Sequence, residues 1–556
     1  MIKKIGYVLI FLLLAGLHSF SQYYSTGQEP FSVKWRQINT ANFQLIFPIE
    51  YSKEANRIAN ILQSSIEHVG KSLNHKPKPI SVVIHSNTAS ANGLVAWAPK
   101  RMELYPTIDI KPEPGEWLTH LAIHESRHVI QIDKLNQGVT KTLYYLFGEQ
   151  ATGLVLGLYI PLWFLEGDAV CTETALTESG RGRMPSFSQS LKPIILEQQD
   201  YSFDKASFGS YKDFVPNHYQ FGYNFTAFLR SEYGTYIWDS ALTNVAKKPY
   251  SVTPFNKALR NVTGKNKTDL FIDFKDSLFT YYKTQDNSAV YFDTSFYHSN
   301  TYSNYYSPIS IDNEIFAIKT SLDDITRIVH ISEQKEEIIH TPGFMNDYKI
   351  RGNEHYIVWT EQIPDVRWQN VNYSVIKLYN RKTGKVEQIG KKSRFYSPTI
   401  NDKNLAFIEI RNTESVIFVY SLEEKTIIDS IKAEGIHFVD PQLINNDELV
   451  VILHENSGQS VALVNLKTHE IELLTENTFY EIKDPYIVDS TLYYISGENG
   501  TNNLYAISLK TKVKKQVTNV RYGIDGLSFS NQKLFFANYL SNGNNIGIIE
   551  VEKALE

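Results

Sequence analysis

The sequence predicts a multidomain chain: an α+β domain ending in a helical subdomain, followed by an all-β propeller of about six blades. Three observations lead there. At 556 residues the chain exceeds what one hydrophobic core ordinarily serves and suits two or three domains. Near residue 290 the texture changes from apolar residues at helical spacing to short alternating strands separated by Asn, Asp and Gly turns. In the second half a phrase recurs, Tyr306-Ser307-Pro308-Ile309, Tyr396-Ser397-Pro398-Thr399-Ile400, Val439-Asp440-Pro441-Gln442-Leu443 and Lys483-Asp484-Pro485-Tyr486-Ile487. The later copies lie about 44 residues apart, the period of a four-stranded propeller blade.

The first residues read as a processing signal. Lys3 and Lys4 precede an apolar run, Tyr7 to Leu17, and Ser19-Phe20-Ser21 forms a small-x-small site. Residues 1–21 are therefore expected to be a signal peptide cleaved before Gln22; the alternative is an uncleaved anchor. No Cys follows the run, which argues against a lipid-anchored chain. The expected destination is outside the cytoplasm: periplasm, outer-membrane-associated or extracellular.

Residues 22–290 are expected to form the α+β domain. Strands are predicted over Asn42 to Pro48, Pro79 to His85, and Gly93 to Tyr105 with a break at Pro99; helices over Tyr51 to Leu73, Trp117 to Leu135 and Pro161 to Thr177. Helical patterns continue at His218 to Tyr233, Tyr236 to Lys247, Pro254 to Thr263 and Asp269 to Tyr282. The uncharged run Thr152 to Leu165 is too short to span a bilayer and reads as a buried helix or an apolar lip at a cleft. No transmembrane span is expected once the signal is removed.

Composition excludes several classes. At 42% hydrophobic and 21% charged residues the chain is not disordered. A net charge of -5 gives no basic field for nucleic acid. The single cysteine, Cys171, precludes an internal disulfide and reads as a buried small residue.

Residues 291–556 are expected to form the propeller. A degenerate copy of the phrase lies near Tyr348 and a last one at Asp525-Gly526-Leu527. Each unit continues with an apolar strand, such as Leu405 to Ile410 or Glu448 to Leu453, and later a Lys-Thr turn. The pattern resembles TolB-like propeller repeats.

The sharpest chemical feature is His124-Glu125-Ser126-Arg127-His128. On a helix, two His four residues apart are separated by about 40° and about 6 Å, so both imidazoles can reach one point. That suits two corners of a tetrahedral metal site, with Glu125 placed to act as base toward a water. A third ligand is needed. Glu166, in Trp163-Phe164-Leu165-Glu166-Gly167-Asp168-Ala169, sits on an apolar helix where a bare carboxylate is costly and a cation would partner it. A solvent-facing Glu166 is the alternative, and Glu173, two turns on, is the second choice for the ligand.

HExxH followed on a later helix by this W-F-x-E-G-x-A segment resembles the gluzincin metallopeptidases, particularly divergent bacterial members that carry propellers. The resemblance covers roughly residues 40 to 285. It implies a zincin-like metallopeptidase domain binding one Zn²⁺ per chain through His124, His128 and Glu166, with Glu125 as general base. In Tyr219-Gln220-Phe221-Gly222-Tyr223, similar to a Y-x-x-G-[FY] phrase of the gluzincin aminopeptidases, Tyr219 would stabilise the oxyanion, with His218 and Tyr223 as alternatives. The implied activity is zinc-dependent hydrolysis of a peptide or protein substrate. The alternative is a non-catalytic scaffold that binds an envelope protein partner through its propeller.

Three departures qualify the resemblance. Glu166 lies 38 residues beyond His128, farther than in the aminopeptidases. No motif for holding a substrate amino terminus is present, while Gly93 to Pro99 falls where the family has its substrate-binding edge strand; both favour an endopeptidase. Val170 stands where thermolysin-like members carry an acid that orients a ligand His, so Asp168 or Glu173 would have to serve. Arg181-Gly182-Arg183 reads either as a contact for a substrate carboxylate or as a solvated turn. Asn261-Val262-Thr263 fits a glycosylation sequon.

Overall fold

The computed structural model describes residues 27–551, apart from positions 112, 198, 200, 287–290, 292–294, 298, 300, 333 and 334. The expected signal segment, residues 1–21, lies outside the described residues.

The N-terminal half is built on a five-stranded mixed sheet. Its strands are β1 (Trp35–Asn39), β2 (Phe43–Pro48), β3 (Ile80–Ile84), β4 (Asn92–Trp97) and β5 (Lys100–Tyr105), in the order β1-β2-β3-β5-β4. The pairs β2–β3 and β3–β5 are parallel, and β1 and β4 are antiparallel edges. Strict alternation makes one face apolar: Phe43, Leu45 and Phe47 of β2 and Ile80, Val82 and Ile84 of β3 are buried. Helix α1 (Ser52–Gly70) crosses between the parallel strands and inserts Ile58, Leu62, Ile66 and Val69 into the same core. Edge strand β1 escaped the sequence reading because it is almost wholly exposed and has no apolar face.

Helix α2 (Trp117–Lys134) carries the HExxH residues across this core. Beyond it lie α3 (Gly138–Phe147), α4 (Glu149–Tyr159) and α5 (Leu162–Leu176). The sequence reading did not anticipate α3, whose only buried residue is Thr140. The apolar run 152–165 is not one helix: α4 and α5 meet at Ile160-Pro161 with a bend of 98°. Among the described residues no single helix is long and apolar enough to cross a membrane. After two short helices, Pro185–Ser188 and Leu191–Leu196, helices α6 (Phe203–Phe208), α7 (His218–Tyr233), α8 (Ile237–Lys247), α9 (Pro254–Thr263) and α10 (Lys267–Asp286) complete this half. An aromatic cluster holds them to α5: Trp163 lies 5.1 Å from Phe225 and Phe164 lies 4.5 Å from Trp238, ring to ring.

The C-terminal half is a propeller of six four-stranded antiparallel sheets. The last blade takes three strands from the chain end and its fourth, Ser295–Tyr297, from the start of the propeller. This joins the two ends of the ring. The recurring phrase is a β-bulge in the first strand of the blade. Register slips between Tyr306 and Ile309, Tyr396 and Thr399, Val439 and Gln442, Lys483 and Tyr486, and Asp525 and Ser528. Ser307, Ser397, Asp440, Asp484 and Gly526 take left-handed φ of 48°, 48°, 53°, 47° and 65°. The bulges bring Asp440 and Asp484 together, each 2.7 Å from Lys349, with Arg351 at 3.7 and 3.3 Å.

The two halves are in direct contact. The Asn372 side-chain oxygen accepts from Thr88 at 3.2 Å, Ser186 donates to Glu481 at 2.7 Å, and Arg521 pairs with Asp286 at 2.8 Å. The segment between β5 and α2 reaches the propeller through Lys111, 2.9 Å from Asp347, and Gly115, whose carbonyl accepts from His454 at 2.6 Å.

Candidate metal centre

Helical periodicity puts His124 and His128 on one face of α2, with Nε2 atoms 3.2 Å apart. Glu166 of α5 supplies the third corner: its Oε2 lies 3.2 Å from His124 Nε2 and 3.3 Å from His128 Nε2. Ligands at about 2.0–2.1 Å from a tetrahedral zinc lie about 3.3 Å from one another. The three atoms are thus spaced as three corners of such a shell, and they form a His-His-Glu group able to hold a metal ion. Burial raises the Glu166 pKa, but hydrogen bonds to His124 and His128 outweigh it and hold the carboxyl well below the usual range. Burial lowers the His124 pKa, and its bonds to Glu166 and Glu173 reverse this, taking it to about 9.

Two close approaches set the triangle. Gly167 follows Glu166 on α5, and Gly222 lies in the Tyr219-to-Tyr223 phrase on α7. A Cβ on Gly167 would sit 2.1 Å from the Gly222 carbonyl carbon, and one on Gly222 would sit 2.0 Å from the Trp163 carbonyl oxygen. Only glycine lets α5 and α7 pack this closely. The contact places Tyr219 near the centre, its ring 6.3 Å from that of His124. Burial, then the Glu166 carboxylate, push the Tyr219 hydroxyl up to about 12. His218 lies beside Tyr219, its ring tilted by 38° at 4.5 Å centre to centre. The Tyr223 hydroxyl is committed elsewhere, donating to the Gly182 carbonyl at 3.2 Å.

Glu125 is buried beside the triangle, and its Oε2 has no hydrogen-bond partner among the described residues. Burial is the chief cause that raises its pKa. Edge strand β4 passes directly over it: a Cβ on Gly93 would lie 2.7 Å from Glu125 Oε1.

Residues behind the imidazoles orient them. Glu173 Oε2 lies 2.9 Å from His124 Nδ1, and Gln131 Oε1 lies 2.9 Å from His128 Nδ1. Glu173 therefore stands behind His124 rather than in the triangle. Asp168 does not touch a histidine. It is wholly buried, pairs with Arg127 at 2.6 Å and with Arg230, and accepts from the Gln131 amide at 2.9 Å. Arg181 is not a solvated turn. It grips Glu173 at 2.7 and 2.9 Å and lies over the Tyr219 ring at 5.4 Å. The sequence reading missed Gln131 and the Arg127–Asp168 pair. The signal for Gln131 was its spacing, one turn beyond His128 on the same helix face. Cys171 is buried and its thiol is pushed up to about 12 by burial, so it is inert at neutral pH.

No family model matches the chain, and no curated protein matches it in sequence. The propeller resembles those of solved structures at low identity. TolB from Acinetobacter baumannii is 12% identical with a TM-score of 0.31, over 43% of this chain and 63% of TolB. The β-propeller domain of the Trilobed protease from Pyrococcus furiosus is 10% identical with a TM-score of 0.32, over 46% of this chain and 97% of that domain. The tricorn protease is 13% identical with a TM-score of 0.34, over 45% of this chain and 26% of that chain. At these scores the matches carry no argument about chemistry, and the six blades rest on the sheets themselves.

Proposed function

We propose that the protein is a zinc-dependent peptidase: a gluzincin-like, zincin-like domain over residues 22–290 coupled to a TolB-like propeller over 291–556, exported from the cytoplasm. The observation that carries this reading is the triangle of His124, His128 and Glu166 with the unpartnered Glu125 oxygen beside it. Two imidazoles, which bind a metal once deprotonated, and a carboxylate, each imidazole faced by a partner from behind, form a donor set suited to one Zn²⁺ per chain. When bound, zinc supplies a Lewis acid and brings the pKa of a water toward neutrality.

The chain's own residues do the rest. Glu125, buried and raised in pKa, takes the proton from the attacking water and returns it to the leaving amine. Tyr219 keeps its proton at neutral pH, so its hydroxyl donates to the oxyanion as the carbonyl becomes tetrahedral. Among the described residues strand β4 ends the sheet order with no strand paired on its outer side, along which an extended substrate would add as a further strand. That geometry, open along the strand, suits an endopeptidase. The propeller lies against this domain and would carry a partner-binding or substrate-admitting surface.

Metal content by mass spectrometry tests the reading. About one zinc per chain is expected, lost in His124→Ala. Glu125→Gln should keep the zinc and lose turnover of a peptide library. A protein purified without zinc at any stoichiometry would sink the proposal.

A further inference from the structure

A large cavity of about 980 Å³ opens beside the candidate centre. It shares Leu165 and His218 with the immediate chain neighbours of Glu166 and Tyr219. Its wall comes from the end of α4, the bend at Ile160-Pro161, α6 and the start of α9, with Trp97 from β4 and Leu322 from the propeller. The wall is apolar and aromatic. Of its acidic and basic residues, Asp213 pairs with Lys205, Lys267 pairs with Asp204 and lies over the Phe203 ring, and His218 lies against the Tyr219 ring.

Two features narrow the ligand. The volume stands at the top of the ~300–1,000 Å³ range of sites for drug-sized molecules, so one amino-acid side chain leaves most of it empty. Most of the wall carries no hydrogen-bonding side chain: the polar ones fall mainly between Ser207 and His218 and at Thr253 and Asn256. A peptide backbone lying against the apolar part of the wall would leave its amides unsatisfied, at a cost of several kcal/mol each on transfer scales. A hydrocarbon chain carries no such groups.

The rim is apolar as well. Leu158, Leu162 and Phe208, which line the cavity, are 63%, 50% and 86% exposed. Leu154, one turn before Leu158, is 61% exposed, and Phe147 at the end of α3 is 66% exposed. Between Gly138 and Leu162 only Lys141 and Glu149 carry charge, and Glu149 is occupied by the Lys100 backbone N–H at 2.8 Å. An exposed apolar patch leading into an apolar cavity marks a site for an apolar ligand.

We propose that this cavity binds a long acyl chain. The acyl chain has two sources, a lipid-modified peptide or a membrane lipid, and both present the same hydrocarbon. On the peptidase reading, on which this step alone rests, an acyl group held here would anchor a lipid-bearing peptide next to Glu166 and Tyr219.

Trp97 and Trp163 line the cavity and report on it. Brominated stearic acid titrated into the full chain should quench tryptophan fluorescence saturably. Gly157→Phe should weaken that binding by at least about tenfold, because Gly157 lines the cavity and a Cβ there meets nothing within 4 Å. The exposed pair Leu158→Glu and Leu162→Glu should weaken it too, with unchanged circular dichroism. Vesicles of brominated phosphatidylcholine, against cleavage of a palmitoyl peptide and its unacylated form, separate the sources. Quenching by vesicles points to a membrane lipid, and faster cleavage of the palmitoyl peptide points to the substrate. Quenching does not need the metal centre, so loss of the peptidase reading would leave the binding result standing. Absence of saturable quenching, or equal affinity in wild type and both variants, overturns the proposal. A dimer in solution that covers the rim and takes up no fatty acid overturns it in favour of a subunit interface.

Discussion

Replacing Gly167 by alanine separates the geometry of the metal centre from the stability of the domain. The new Cβ would lie 2.1–2.2 Å from the Gly222 carbonyl group, whereas ordinary contact begins near 3.4 Å. The obstacle is backbone on a packed helix, so α5 and α7 must part by about 1.3 Å. Overpacking of this kind costs about 1–3 kcal/mol. Alanine in a helix offsets about 1 kcal/mol of that. The net loss is about 0–2 kcal/mol, a fall in Tm of a few degrees. The effect on the centre is larger. Glu166 is the residue before Gly167, and its Oε2 must stay 3.2–3.3 Å from both imidazoles. Metal–ligand distances tolerate about 0.2 Å, so zinc affinity should drop by about ten- to a hundredfold. Competition against a chromophoric chelator measures the affinity, and thermal melts measure the stability. Gly157→Ala is the control, since its Cβ meets open space: zinc affinity should hold and the melt should be equal or slightly higher. Wild-type zinc affinity in Gly167→Ala would refute the claim that the glycine contact sets the ligand triangle.

Other consequences follow from single contacts. Gln131→Ala removes the hydrogen bond behind His128 and a donor to Asp168; zinc affinity should fall by about ten- to a hundredfold, read by the same competition. Asp484→Ala leaves the half-buried Lys349 and the buried Arg351 with only Asp440 as an ion-pair partner, and should destabilise the propeller by about 3–5 kcal/mol, measured by denaturant melts. His85, 3.5 Å away, with help from Arg101 and against burial, lowers Glu103 from 4.5 to about 2. Its stabilisation is full above about 4.5 and lost as pH falls toward 2. Burial lowers the His85 pKa, but Glu103 and Glu29 more than reverse this, so its share is full below about 6.5 and fades as pH rises. The Tm gap between wild type and Glu103→Gln should therefore be widest between about pH 4.5 and 6.5; a gap constant from pH 3 to 9 would refute the assignment.

Local periodicity carried much of this protein's organisation. His124, Glu125 and His128 share one helix, so their convergence follows from 3.6 residues per turn with no knowledge of the rest of the chain. The Ser-Pro and Asp-Pro phrases mark bulges with left-handed residues, and a bulge is a property of a few consecutive residues. That is why the blade period was legible. Strand β1 and helix α3 were not: β1 is exposed and has no apolar face, and the apolar residues of α3 face outward rather than marking a buried side.

Partners from distant segments were decided only by tertiary structure. Glu166 was named from its apolar surroundings, but its approach to both imidazoles depends on how α5 crosses α2. The close packing of Gly167 on Gly222 joins segments 55 positions apart. Glu173 behind His124, Arg181 clamped on Glu173, and Asp168 diverted to Arg127 and Arg230 likewise depend on which helix faces meet. The cavity beside the centre is bounded by residues of β4, α4, α5, α6, α7, α9 and α10 and by a propeller loop, none adjacent in sequence to all the others. A chain specifies its turns, bulges and helix faces locally. Which faces meet is chosen by burial of the whole core, and that choice is written in no single segment.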